Sequence, residues 1–167
     1  VKMEEYIYFN GRKLRYGYTT GSSATAATKA ALMYLLQDGE QDIPEVTIGL
    51  PSGKSITIKV DSLKKADNYA LASVLKDGGD DPDVTHGLQI FSKVSLRDDT
   101  KINIFGGIGV GKVTKKGLPI SPGNSAINPT PLKMIRAAVE SVLPTGKGAD
   151  IEIFVPKGEE TAKKTLN

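Results

Sequence analysis

Cysteine is absent from the 167 residues. That excludes disulfides, thiolate nucleophiles, zinc fingers and iron–sulfur clusters together. Histidine occurs once, at His86, which excludes a His-rich catalytic metal site. No apolar run approaches the length of a membrane span, and the Val1–Arg12 start has no apolar signal core. A large excess of one charge is also missing: 22 Lys and Arg against 19 Asp and Glu leave +3. So small an excess argues against a nucleic-acid partner, yet it suits an anionic small molecule. With 39% apolar and 25% charged residues, the chain is expected to be a soluble, cytoplasmic globular protein with a real core.

The elements that fill this frame can be read from periodicity. Thr20 or Ser22 caps a helix expected over Ser23–Gln37, with Gly39 as its left-handed stop. Ala27, Ala31 and Leu35 recur every fourth residue, and the alanines make a thin face suited to close packing on a sheet. Glu45–Leu50 and Lys54–Val60 alternate around Pro51-Ser52-Gly53, which predicts a β-hairpin. Ser73–Lys76 reads as a short strand, and Leu88–Leu96 and Lys101–Phe105 as a strand pair joined through Arg97–Thr100. Thr130 and Pro131 start a second helix running to about Leu143, followed by a strand at Ala149–Val155. Hairpins dominate and two substantial helices appear. The expected fold is therefore α+β: a two-layer sandwich of a mostly antiparallel sheet with both helices on one face. Residues 1–157 form one domain. Gly158–Leu166 reads as the beginning of a helix leading to a second domain.

Four stretches carry potential chemistry. Thr19-Thr20-Gly21-Ser22-Ser23 places small hydroxyl residues and glycine where a helix start exposes free N–H groups, a place suited to phosphate or carboxylate and equally to a plain cap. Asp77, Asp80, Asp81, Asp83 and His86 crowd four carboxylates and the only histidine into one Gly/Pro-rich segment. Crowded carboxylates raise one another's pKa, as a general acid or base requires, although the same composition makes a solvated turn. The order of an EF-hand loop is missing. Gly106–Thr114 nearly matches a phosphate-binding loop, but Val113 stands where the magnesium-binding hydroxyl belongs. It remains either a bulged hairpin or a Gly-rich turn, through Gly109 and Gly111, that lets backbone approach a ligand beside Lys112 and Thr114. Last, Ala126-Ile127-Asn128-Pro129-Thr130-Pro131 fixes an extended approach to the second helix, with Asn128 free to meet a ligand. If the first three share a ligand, they converge on one cleft.

In this order the four stretches resemble the CbiD family of cobalamin biosynthesis. The resemblance is carried by Leu14–Ala24 (LRYGYTTGSSA), Val74–Gly87 (VLKDGGDDPDVTHG), Gly107–Leu118 (GIGVGKVTKKGL) and Ala126–Pro131 (AINPTP). It implies S-adenosylmethionine-dependent methylation of carbon 1 of cobalt-precorrin-5B, giving cobalt-precorrin-6A. The partner implied is an anionic tetrapyrrole held by Arg15, Thr19–Ser23, Gly109, Gly111, Lys112, Thr114 and Asn128. The Asp77–His86 segment would supply any base. The cobalt belongs to the substrate, so no protein metal ligand is implied. Where many members have cysteine after T-T-G-S, this chain has Ser23, and an arginine after the second proline of the fourth motif is replaced by Leu132 with Lys133 next. Members continue into a further domain. A kinase of the GHMP type, whose phosphate loop opens an Ala-rich helix, is the alternative for Gly21–Ala27. A non-catalytic anion- or tetrapyrrole-binding module is another.

Overall fold

A computed structural model describes residues 5–9, 12–16, 20–76, 87–106 and 129–156. Its elements in chain order are β1 (Glu5–Phe9), β2 (Arg12–Tyr16), α1 (Thr20–Leu36), β3 (Glu45–Gly49), β4 (Ser55–Lys59), β5 (Ser62–Lys65), β6 (Ala70–Leu75), β7 (Gln89–Arg97), β8 (Ile102–Gly106), α2 (Pro129–Val142) and β9 (Gly148–Phe154). The class is α+β. Two-stranded sheets β1–β2 and β3–β4 accompany a five-stranded sheet of order β5-β6-β7-β9-β8, and every pairing is antiparallel except β8 with β9.

The hairpin at β3–β4 forms as expected, with Val46 opposite Ile58 and Ile48 opposite Ile56, all four buried. The pair expected from Leu88–Leu96 and Lys101–Phe105 does not form. β9 sits between those strands, antiparallel to β7 and parallel to β8. The reason is topological: β8, α2 and β9 make a β–α–β unit, whose strands must run parallel. Neither the β1–β2 hairpin nor β5 was expected from the sequence, and β6 is longer than the Ser73–Lys76 strand foreseen.

α1 begins three residues before the expected helix, and Gly39 ends the turn beyond it with φ of +99°. Ala26, Ala27, Ala30 and Ala31 are completely buried, as are Ala70 and Ala72 on β6. Small residues on both surfaces let α1 lie close on β6 and β7. Thr28 Oγ1 and Ser92 Oγ, 2.8 Å apart, form a buried hydrogen bond from this helix to β7. At the other end, Lys65 Nζ donates to the carbonyls of Tyr34, Gln37 and Gly39 at 3.2, 3.0 and 2.7 Å. A cation there satisfies carbonyls the helix leaves unpaired and opposes the negative end of its dipole. α2 buries Ile135 and Val139, four residues apart, in this same core and packs closely along α1. Both helices contribute to the one core on the sheet, where Ala149 and Ile151 of β9 are completely buried. Arg136 still reaches the carbonyl of Ile102 at 3.2 Å.

Candidate functional site

The direction of α1 decides which end of the sheet can hold a site. Lys65, paired with Ala70, caps the C-terminal end of α1, whereas Thr28 bonds Ser92, which pairs with Ala72. α1 therefore runs antiparallel to β6. Its N-terminus, about 12 Å beyond Thr28 at 1.5 Å per residue, points to the end where β6 finishes. Leu75 pairs with Gln89, Phe91 with Phe154, and Ile153 with Gly106. The C-terminal ends of β6, β8 and β9 and the start of β7 thus share that same end.

The consequence for the four stretches is direct. Asp77–His86 leaves the sheet at Lys76 and returns at Gly87. Lys76 N donates to the carbonyl of Leu88 and Gly87 N to that of Lys76, both at 2.8 Å. Gly107–Asn128 departs from the end of β8 and arrives at the start of α2. The anchors of the acidic and glycine-rich stretches and the start of α1 are therefore at one end of the fold, as loops that build ligand sites commonly are. Thr19, Asp77, Asp80, Asp81, Asp83, His86, Gly109, Gly111, Lys112, Thr114 and Asn128 themselves lie outside the described residues. Arg15 is in β2, opposite Tyr6.

Thr20–Ser23 forms the first turn of α1. Thr20 is exposed and Gly21 half-buried, while Ser22 and Ser23 are buried. A Cβ on Gly21 would lie 3.0 Å from Pro131 Cγ and 3.2 Å from Pro131 Cβ. Glycine here lets the first turns of α1 and α2 touch. The structure thereby unites the first and fourth stretches, which spacing alone leaves separate. Neither first turn contains an acidic residue, so two positive helix ends lie together with no internal carboxylate to offset them.

Ser23 sharpens this. Its hydroxyl is completely buried and has no hydrogen-bond partner among the described residues, whereas Thr25 Oγ1 and Thr28 Oγ1 donate to the Gly21 and Ala24 carbonyls at 2.7 and 2.8 Å. A buried hydroxyl without a partner costs about 1–3 kcal/mol. Nothing in its sequence context distinguishes Ser23 from its hydroxyl neighbours. Only the packing does.

Elsewhere, ions are structural. Arg97 Nη1 donates to both carboxylate oxygens of Asp150 at 3.0 and 3.1 Å, and Arg97 Nε to Asp99 Oδ1 at 2.7 Å. The Asp99 carboxyl is held far below the usual carboxylate range, first by the Arg97 hydrogen bond and then by the Lys101 backbone N–H. No group of His, Cys, Asp and Glu among the described residues could hold a metal ion, and no described helix is long and apolar enough to cross a membrane.

The fold is thus of the α+β class, with two helix starts meeting beside its strand ends. Comparison with known proteins then places it. The CbiD family model matches residues 7–167, and the chain belongs to the CbiD family. It is 54% identical over 165 residues to the cobalt-precorrin-5B C(1)-methyltransferase of Alkaliphilus metalliredigens, and 52% identical to that of a Thermoanaerobacter species. Those alignments cover 99% of this chain but 43% and 44% of the relatives, so the chain spans less than half their length. A crystal structure of the cobalamin biosynthesis protein cbiD from Archaeoglobus fulgidus superposes with a TM-score of 0.66 at 28% identity, covering 96% of this chain and 50% of that one. These matches give no support to the kinase alternative.

Proposed function

We propose that this chain is the amino-terminal part of an enzyme that methylates carbon 1 of cobalt-precorrin-5B with S-adenosylmethionine, yielding cobalt-precorrin-6A. The observation that carries the reading is the family match over residues 7–167 together with identity above half to relatives bearing that activity in their names. Residues 158–167 then lead into the second domain, and the protein works in the cytoplasm.

In this reaction the ring carbon's electron pair forms the new bond to the methyl group. The pair of the breaking S–C bond stays on sulfur, leaving a thioether. An in-line displacement of this kind depends on holding both reactants in line and excluding water. The substrate's acetate and propionate groups call for cations and backbone donors. The meeting helix starts, with Thr20, Gly21, Ser22 and Ser23, supply the donors; Arg15 and Lys112 supply the charge. Asp77, Asp80, Asp81, Asp83 and His86 serve as the acid–base group, anchored at the same sheet end. Cobalt is part of the substrate, and S-adenosylmethionine is assigned to the second domain.

The test is turnover. Residues 1–167, and the same chain extended by the length its relatives carry, are incubated with cobalt-precorrin-5B and S-adenosylmethionine, and product is read by mass. The extended chain is expected to add one methyl group. The 167-residue chain is expected to bind the tetrapyrrole without methylating it, because losing one reactant's pocket removes a proximity advantage of up to about 7–11 kcal/mol. No methylation by the extended chain would overturn the assignment. Robust turnover by residues 1–167 would place the donor site in this domain instead.

A further inference from the structure

A cleft of about 660 Å³ lies between α2 and the β3–β4 hairpin, a volume usual for small-molecule sites. Its α2 wall is one helical stripe, Thr130, Lys133, Met134, Ala137, Ala138 and Ser141, which follow one another at positions i, i+3, i+4, i+7, i+8 and i+11. This is a different face from the one that buries Ile135 and Val139 against the core. Ile48 closes the hairpin side. Lys29 reaches over from α1, its Nζ held 2.6 Å from the Thr47 carbonyl, and Lys133 is exposed. Every charged residue among the described lining is a lysine.

The cleft begins at Thr130, beside the Gly21–Pro131 junction, so it runs from the end of the fold where the site anchors gather. A second recess, of about 520 Å³, lies on the opposite face of the five-stranded sheet and is lined by Asp150 and Glu152 as well as Lys93. Two carboxylates there disfavour an anion. Charge sign therefore separates two recesses of similar size.

We infer that the α2–hairpin cleft seats the substrate, a flat apolar macrocycle fringed with carboxylates. This rests on the methyltransferase reading above and locates its acceptor. The ring edge lies on Ile48, Met134 and Ala137, and peripheral carboxylates meet Lys133, Lys29 and the open start of α2 at Thr130. Lys133 supplies the cation on the cleft stripe.

The probe is cobyrinic acid, a corrin bearing free carboxylates, titrated by absorbance against residues 1–167. Lys133→Glu is expected to weaken binding about three- to fivefold, the scale of losing one solvated charge contact. Lys133→Arg should restore it. Ala137→Trp, which fills the cleft at an exposed position, is expected to weaken binding at least as much. Lys93→Glu on the far recess should leave it unchanged. Melting curves of each variant check that the fold is intact. Wild-type binding that ignores both Lys133→Glu and Ala137→Trp would overturn the cleft assignment, as would binding lost with Lys93→Glu alone or no binding by the wild-type chain. Methylation by the extended chain is read separately, so the enzymatic reading can survive any of these failures.

Discussion

Gly148 opens β9 at the point where the chain passes hardest against its neighbour. A Cβ there would stand 2.0 Å from the Lys101 carbonyl oxygen and 2.7 Å from both the Asp99 oxygen and the Lys101 nitrogen. All three are backbone atoms, so no flexible side chain can yield. Reaching ordinary contact at 3.4 Å requires the start of β8 and the start of β9 to part by about 1.4 Å. The Ala149 N–H to Lys101 carbonyl bond, 2.9 Å long, lies in the same place and would stretch with it. Overpacking costs about 1–3 kcal/mol and the lost hydrogen bond about 0.5–1.5 kcal/mol. Gly148→Ala should thus destabilise by about 2–4 kcal/mol, a large part of the roughly 5–15 kcal/mol that typical domains possess. At about 2–4 °C per kcal/mol for a chain of this size, the melting temperature falls by roughly 5–15 °C. Circular-dichroism melts and urea titrations read both quantities. Gly49→Ala is the control: nothing lies within 4 Å of its added Cβ, and replacing a strand glycine should leave stability equal or slightly raised. A Gly148→Ala protein within about 1 kcal/mol of the parent, with unchanged dependence on urea, would refute the contact argument.

Ser23→Ala removes a buried hydroxyl with no partner among the described residues, so stability should hold or rise by up to about 1–2 kcal/mol. Tetrapyrrole affinity should fall if that hydroxyl serves a ligand, a split that melts and titrations resolve and that a loss of both would contradict. Lys65→Met leaves three carbonyls at the end of α1 without their cation and should cost about 1–2 kcal/mol in urea unfolding. Asp99, with its folded pKa depressed, contributes stability that is present above the ordinary carboxylate value of about 3.9 and is lost as pH falls. Urea midpoints measured from pH 6 down to 2 should therefore drop less steeply for Asp99→Asn than for the parent, and identical slopes would remove Asp99 from the acid response.

The fold was legible wherever burial and periodicity agree. The β3–β4 hairpin announces itself because one face is fully apolar and its turn residues are Pro, Ser and Gly. α1 was legible through its alanines, whose value is closeness to Ala70 and Ala72 rather than buried area. β5 was illegible because Leu63 is the lone apolar side chain in Ser62–Lys65, and Lys65 faces inward only to serve the end of α1. The order of β7, β9 and β8 was illegible for a different reason. Adjacent strands in sequence pair most often, and the sequence holds no local mark of a strand inserted from 50 residues away.

Site legibility divides along the same line between composition and packing. Glycine, hydroxyl residues and aspartate betray where backbone is freed or charge is crowded, and these mark Thr19–Ser23 and Asp77–His86 in the sequence. What composition cannot carry is the distance between such places. Gly21 reads as a cap residue until Pro131 is found against it, and Lys133 reads as a solvated charge until α2 turns it beside Ile48 and Lys29. Both facts depend on α1 and α2 meeting at their first turns, which in turn depends on glycine at 21 having no side chain. What sets this end of the molecule apart is therefore less any single motif than two positive helix ends brought together at one small residue. A bulky substitution at Gly21 should separate them and weaken carboxylate binding even though every cation is retained.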